Sequence, residues 1–418
     1  MKTLLKLLGI IVLVTVIGFV ISCGGGGGGG SGITTPPGEK PGDSPSDSPG
    51  GEPECSHNWS DWLVIYIPIE TVPGTAVPMT EKRTCSICGQ GETRSTTTFT
   101  PTVIIDLTTG DVTGTANTAS LPDITITPVA SDVVLIIGDG SNGGTGRNLK
   151  INNAEQIYIA DGAIIKSTTN AAFTFAAEST TITGGGNVVM AANNNPVLIT
   201  NSGGLTISGT ISEITNGSNS AINVYTGSLT ISGTIGAITS NTICIGGNET
   251  IISGTIGDIT SGTNICINVK EIIISGTIGD ITSGTAPALY LNGAGVNSVI
   301  SGTIGDITSG SSSAIYCNAN NLTISGTTGA IKSTNGSGIN GGSGSITISG
   351  KTGIIKGGDS TSGAGGPGIS TTTGTVTITG TVEDIKGGLG NNSPLNDGHQ
   401  ISVNGVGYDN WPDVKAWP

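Results

Sequence analysis

The stretch IISGTIGDITSG (residues 251–262) returns as IIISGTIGDITSG (272–284) and as VISGTIGDITSG (299–310). Its apolar residues alternate with small polar ones, the period of a strand whose successive side chains face opposite ways. Looser copies flank it: LTISGTISEIT (205–215), LTISGTIGAIT (229–239), LTISGTTGAIKS (322–333), ITISGKTGIIKG (346–357) and VTITGTVEDIKG (376–387). From Gly209 to Gly380 the marker glycine recurs in seven steps over 171 residues, about 24 per step. Weaker copies set further markers at Gly184, Gly162 and Gly138.

Two isoleucine columns run through these copies. One holds Ile207, Ile231, Ile252, Ile274, Ile300, Ile324, Ile348 and Ile378. The other holds Ile214, Ile238, Ile259, Ile281, Ile307, Ile331, Ile355 and Ile385. A third apolar pair follows in several units: Ile222/Val224, Ile243/Ile245, Ile265/Ile267, Leu289/Leu291 and Ile315/Cys317. A propeller blade needs four strands in ~40 residues or more, and leucine-rich repeats need a leucine signature that is missing here. The unit fits one coil of a stack. The expected fold is all-β: a parallel β-solenoid (β-helix) of about 11 coils over residues 101–387, with three short strands per coil. Such stacking resembles the pectate-lyase-like parallel β-helices. The tail, 388–418, breaks the period and is expected to cap the open end.

Composition agrees. Glycine supplies 71 of 418 residues, more than double the usual ~7 %. Charged residues are 11 % and aromatics 3 %, too few for coiled coils or helical arrays. A net charge of −14 argues against nucleic acid as a partner, because binding phosphates needs clustered Lys and Arg. Gly138-Asp-Gly-Ser-Asn-Gly143 matches a dinucleotide loop in spacing, but a strand-like segment follows where a helix should open, so no nucleotide is expected.

Residues 1–22 read as an export signal, with Lys2 and Lys6 ahead of an apolar run. Val20-Ile-Ser-Cys23 resembles the lipobox of bacterial lipoproteins. That resemblance implies cleavage before Cys23 and lipid on its sulfur, and so a membrane partner through the lipid. The protein would be exported and lipid-anchored at the bacterial outer membrane or cell surface. Residues 23–54, with seven consecutive glycines and a Pro/Ser-rich stretch, read as a tether.

Residues 55–100 form a small separate module. Cys55-Ser-His57 and Cys85-Ser-Ile-Cys88 offer four soft ligands, a tetrahedral structural zinc (Zn2+) set. A segment this short needs such a staple. The alternative is a disulfide from Cys55 to Cys85 or Cys88, which an exported chain permits. The pattern C-x-H-x-W…R-T-C-x-x-C-G resembles a zinc-ribbon-like module of bacterial surface proteins, which implies Cys55, His57, Cys85 and Cys88 as ligands.

Within the repeat, Asp258, Asp280 and Asp306 share one column. Like charges ~5 Å apart repel, so Ca2+ is a candidate there, against the plain reading of a solvated Gly-Asp turn. Cys244 and Cys266 are read as outward neighbours on adjacent coils, suited to a disulfide. Tyr290 and Tyr316 are read in the same outward column, as a platform for a sugar ring. No catalytic residues are expected. Residues 205–387 hold no Arg and no His, and sugar-cleaving chemistry needs grouped carboxylates or a basic partner. The expected function is a non-enzymatic surface scaffold, adhesin-like, binding an extracellular glycan or surface protein. The alternative is a divergent polysaccharide-active β-helix enzyme, a lyase or hydrolase.

Overall fold

The computed structural model describes residues 203–359 and 365–389 continuously, and 57–200 and 401–417 in pieces. The leader, Cys23, the tether and Cys55 lie outside the described residues. Every described element is a strand.

One coil runs through Thr255–Ile256, Ile259–Ser261 and Ile267–Ile274. The next runs through Thr277–Ile278, Ile281–Ser283, Leu289–Leu291 and Asn297–Ile300. The coils stack in parallel and in register. Ile259 pairs with Ile281, and Ile281 with Ile307. Ile252 pairs with Ile274, and Ile274 with Ile300. The result is a parallel β-solenoid of about eight regular turns.

Upstream the same ladder continues through Ile182, Ile157, Val134 and Val103. Residues 103–106 are therefore a first rung. The marker register shifts there. Ile159 and Ile136 align with Gly184, and Gly162 and Gly138 fall later, in turns with φ of 77° and 87°. Those two glycines serve left-handed backbone, whereas the repeat glycines serve close stacking.

Both isoleucine columns are buried along their full length. Each fully buried isoleucine contributes about 1.5–3 kcal/mol. The ion pairs, such as Lys332–Asp306 at 3.5 Å and Lys356–Asp359 at 3.1 Å, are exposed, a class worth about 0–1 kcal/mol each. The aliphatic columns therefore decide stability. One column changes character: Ile256, Ile278 and Ile304 give way in register to Thr328 and Thr352. The hydroxyls of Thr328 and Thr352 are buried without a partner.

A second buried ladder is polar. Ser283 Oγ donates to Asn264 O at 2.7 Å, Ser309 Oγ to Ala286 O at 2.8 Å, and Ser333 Oγ to Ser312 O at 2.6 Å. Each hydroxyl ties one coil to the turn of the coil before it. At the Ser-Gly corner, a Cβ on Gly254, Gly276, Gly302, Gly326 or Gly350 would overlap the carbonyl oxygen of the equivalent glycine one coil earlier. No larger residue fits there.

The C-terminal segment covers the last coil. Ile401–Val403 pairs in parallel with Ile369–Thr371 and folds back on Val406–Tyr408. Ala416–Trp417 lies antiparallel on Val376–Thr377. Ahead of the solenoid, Leu63–Tyr66, Val77–Thr84 and Gly91–Phe99 form a three-stranded antiparallel sheet.

Gly302→Ala is expected to lower the denaturant midpoint sharply, because the methyl must displace the Gly276 carbonyl. Ile281→Ala is expected to cost about 2–5 kcal/mol. Denaturant unfolding followed by far-UV circular dichroism measures both, and an unchanged midpoint for Gly302→Ala refutes the stacking argument.

Candidate functional site

The third apolar pair fixes which side chains face out. In the structure Ile222/Val224 stacks on Ile245/Gly247, then on Ile267/Val269, Leu289/Leu291 and Ile315/Cys317. Two of these pairs differ by two residues from the sequence reading, which took Ile243/Ile245 and Ile265/Ile267. The outward column is therefore Asn223, Gly246, Asn268, Tyr290, Tyr316 and Asn340. Gly246 and Asn268 were missed. The signal that finds them is the buried side chain of Val269, which counts two residues on from Ile267.

Cys244 and Cys266 are corrected by the same shift. Both are buried and point inward. They stand one residue before a strand, in a corner column with Ala221, Ala288 and Ala314, all buried. Alternation breaks at this bend, so two consecutive residues bury. The sulfurs are free thiols rather than a disulfide. Cys244 Sγ donates to Thr260 O at 3.1 Å and Cys266 Sγ to Thr282 O at 3.0 Å. The adjacent Cys266 thiol, together with burial, pushes the Cys244 thiol far up from its ordinary range. Burial pushes the inward Cys317 thiol up to about 12.

Tyr290 and Tyr316 meet as the sequence suggests. Their rings stack with centroids 5.3 Å apart and planes inclined by 24°. Parallel pairing puts the two residues directly opposite, so the stack is a product of register. Asn268 pairs with Tyr290 on one side, and Asn340 with Tyr316 on the other.

The aspartate column has an occupation of its own. Asp258 Oδ1 accepts the backbone N–H of Asp280 at 3.0 Å. Asp280 Oδ1 accepts that of Asp306 at 2.8 Å, and Asp306 Oδ1 that of Ala330 at 2.8 Å. Each carboxylate thus holds the amide of the following coil where the strand bends. This is more specific than a solvated turn, and it uses one oxygen of each group that calcium would need.

His57, Cys85 and Cys88 form a group that can hold a metal ion, with ligand atoms all within 4.8 Å of one another. Among the described residues, Cys88 Sγ lies 3.5 Å from His57 Nδ1. Cys85 is fixed by an antiparallel bridge to Trp59 and by its N–H donating to Gln90 O at 2.8 Å. Burial opposes charge on the Cys85 sulfur, but the backbone N–H of Cys88, the His57 ring, the Ile87 N–H and the Cys88 thiol hydrogen-bond it. Together they bring it down to about 6, from 9.0. A thiolate poised at neutral pH is the form a metal takes.

A stack braces this group. The His57 ring lies 4.6 Å from that of Trp59, and the Arg83 guanidinium lies 4.6 Å from the Trp59 ring centroid on a cation–π contact. Arg83 donates from Nε to Glu92 Oε2 at 2.8 Å, across a directly paired rung. Trp59 thus contacts both the candidate ligand and an ion pair.

Comparison with protein-family models, with curated proteins and with solved structures finds no match to this chain.

Cys244, Cys266 and Cys317 are expected to resist an aromatic disulfide reagent in the folded chain and to react on unfolding in denaturant. A chain in which Cys244 and Cys266 stay unreactive after unfolding, until a reductant is added, contradicts the free-thiol pair.

Proposed function

We propose that the chain is a lipid-anchored cell-surface protein whose β-solenoid is a non-enzymatic scaffold that binds glycans. The observation that carries this is the Tyr290–Tyr316 stack, set on an outward column between Asn268 and Asn340. Aromatic rings present an apolar body with a polar tip, and carboxamides both donate and accept hydrogen bonds. Sugars match both, with hydroxyls at their rims and C–H groups on their faces. The lipid anchor rests on the lipobox resemblance at Cys23, and the tether holds the folded part away from the membrane.

In the same reading the small module is a structural zinc site. His57, Cys85 and Cys88 supply one nitrogen and two sulfurs, the donor set that Zn2+ takes in closed tetrahedral sites. Cys55 is the fourth ligand, placed two residues before His57 by the sequence. A closed four-ligand site leaves no position for a substrate, so the metal's work is to hold the module together.

Two measurements test these readings. Wild type is expected to bind a subset of a glycan array without releasing shorter products, and the double variant Tyr290→Ala/Tyr316→Ala to lose at least tenfold in affinity. Unchanged binding by the variant removes the platform, and product release restores the enzyme. The purified chain is expected to carry about one zinc per molecule, set by the closed four-ligand site, and Cys85→Ser to lose it. Zinc-free protein with Cys55 oxidised identifies a disulfide instead.

A further inference from the structure

We propose that the His57, Cys85 and Cys88 group is also a peroxide-sensitive switch, in which oxidation joins Cys85 to Cys88 as a disulfide and releases the metal. This rests on the zinc reading above and gives that site a regulation.

The described cysteines fall into two classes. Cys244, Cys266 and Cys317 are buried among the aliphatic side chains of the solenoid core. Buried structural cysteines are inert, because no reagent reaches the sulfur. Cys88 is exposed, and among the described residues it is the one cysteine that is. An oxidant in solvent therefore meets the small module first.

The partner sulfur is already in place. Cys85 Sγ, Cys88 Sγ and a ring nitrogen of His57 all lie within 4.8 Å of one another. A disulfide needs about 2.05 Å between its sulfurs, and rotation of two cysteine side chains can close a gap of that size. The surroundings of the two sulfurs set the order of events. Cys88 Sγ lies at the surface, 3.5 Å from His57 Nδ1. Cys85 is 1 % exposed, and its sulfur accepts the N–H of Ile87 at 3.4 Å. Its backbone is pinned by the bridge to Trp59. Cys88 thus takes the oxidant, and Cys85 resolves the product.

The electrons balance. Metal-bound cysteines are thiolates. Cys88 Sγ attacks one oxygen of hydrogen peroxide, the O–O bond breaks, and hydroxide leaves behind a sulfenic acid. Cys85 Sγ then attacks the Cys88 sulfur, and a second hydroxide leaves as the S–S bond forms. Two thiolates give up two electrons, and the peroxide bond takes both. Both negative ligands are lost, and among the described donors only His57 is left to the metal. The Cys85–Cys88 turn is flanked by the paired strands Val77–Thr84 and Gly91–Phe99, so a reductant restores the same site.

The test treats the full-length chain, loaded with zinc and held in detergent, with hydrogen peroxide. A chromophoric chelator follows the zinc, and peptide mass follows each cysteine. Zinc is expected to leave as a Cys85–Cys88 disulfide forms, and dithiothreitol with added zinc is expected to reload the site. Dimedone present during oxidation is expected to tag Cys88 and to leave Cys85 untagged. Cys244, Cys266 and Cys317 are expected to stay reduced. Zinc that stays bound under peroxide, a disulfide from Cys55 to either cysteine, or a tag on Cys85 overturns the switch and leaves the zinc reading standing. A chain that takes up no zinc overturns both.

Discussion

The distance between one coil and the next governs the rest of the molecule. Parallel strands sit ~4.8 Å apart, and at the Ser-Gly corner the backbones of neighbouring coils come close enough that a Cβ would collide with a carbonyl oxygen. Glycine at that corner lets the flat faces reach hydrogen-bonding distance over many consecutive rungs. The aliphatic columns then meet their equivalents directly, and the buried serines reach the turn above them. Each device repeats because the spacing repeats.

This constraint also explains what was legible in the sequence and what was not. Ile207 to Ile378 and Ile214 to Ile385 could be read because period-two alternation survives on straight segments. Cys244 and Cys266 could not, because they sit at a bend where two consecutive residues turn inward. Counting back from Ile245 and Ile267 by simple alternation put both cysteines outside, and it hid Gly246 and Asn268. Gly138 and Gly162 misled for a different reason. They look like corner glycines in sequence but serve positive-φ turns. The pairing of Tyr290 with Tyr316 was legible, since one tyrosine follows the other by about one repeat. The outward place of Gly246 was not, because it depends on which of two adjacent glycines, Gly246 or Gly247, stands in register with Asn223 and Asn268.

Charge is used sparingly and locally. The aspartates at the bend do not gather into a cluster; each takes the amide of the next coil. In the small module, Arg83 lies between the Trp59 ring and the Glu92 carboxylate, holding the ring that stacks on His57. Charged groups here are positioning devices for backbone or aromatic partners, and the bulk of the cohesion is left to isoleucine.

The two buried threonines, Thr328 and Thr352, change the make-up of one column. A solenoid's stability is close to a sum of nearest-neighbour interfaces, so each rung adds or subtracts its own share. The interfaces from Ile211 to Ile304 join aliphatic side chains, whereas the one between Thr328 and Thr352 joins hydroxyls with no partner. An unsatisfied buried hydroxyl costs about 1–3 kcal/mol. Thr242 and Thr250, in the middle of the stack, carry the same cost, so the penalty is spread along the solenoid rather than gathered at one end. The coil of Thr328 also buries Ile324 and Ile331, and that of Thr352 buries Ile348 and Ile355; at about 1.5–3 kcal/mol for each isoleucine, the two columns outweigh the hydroxyl they flank.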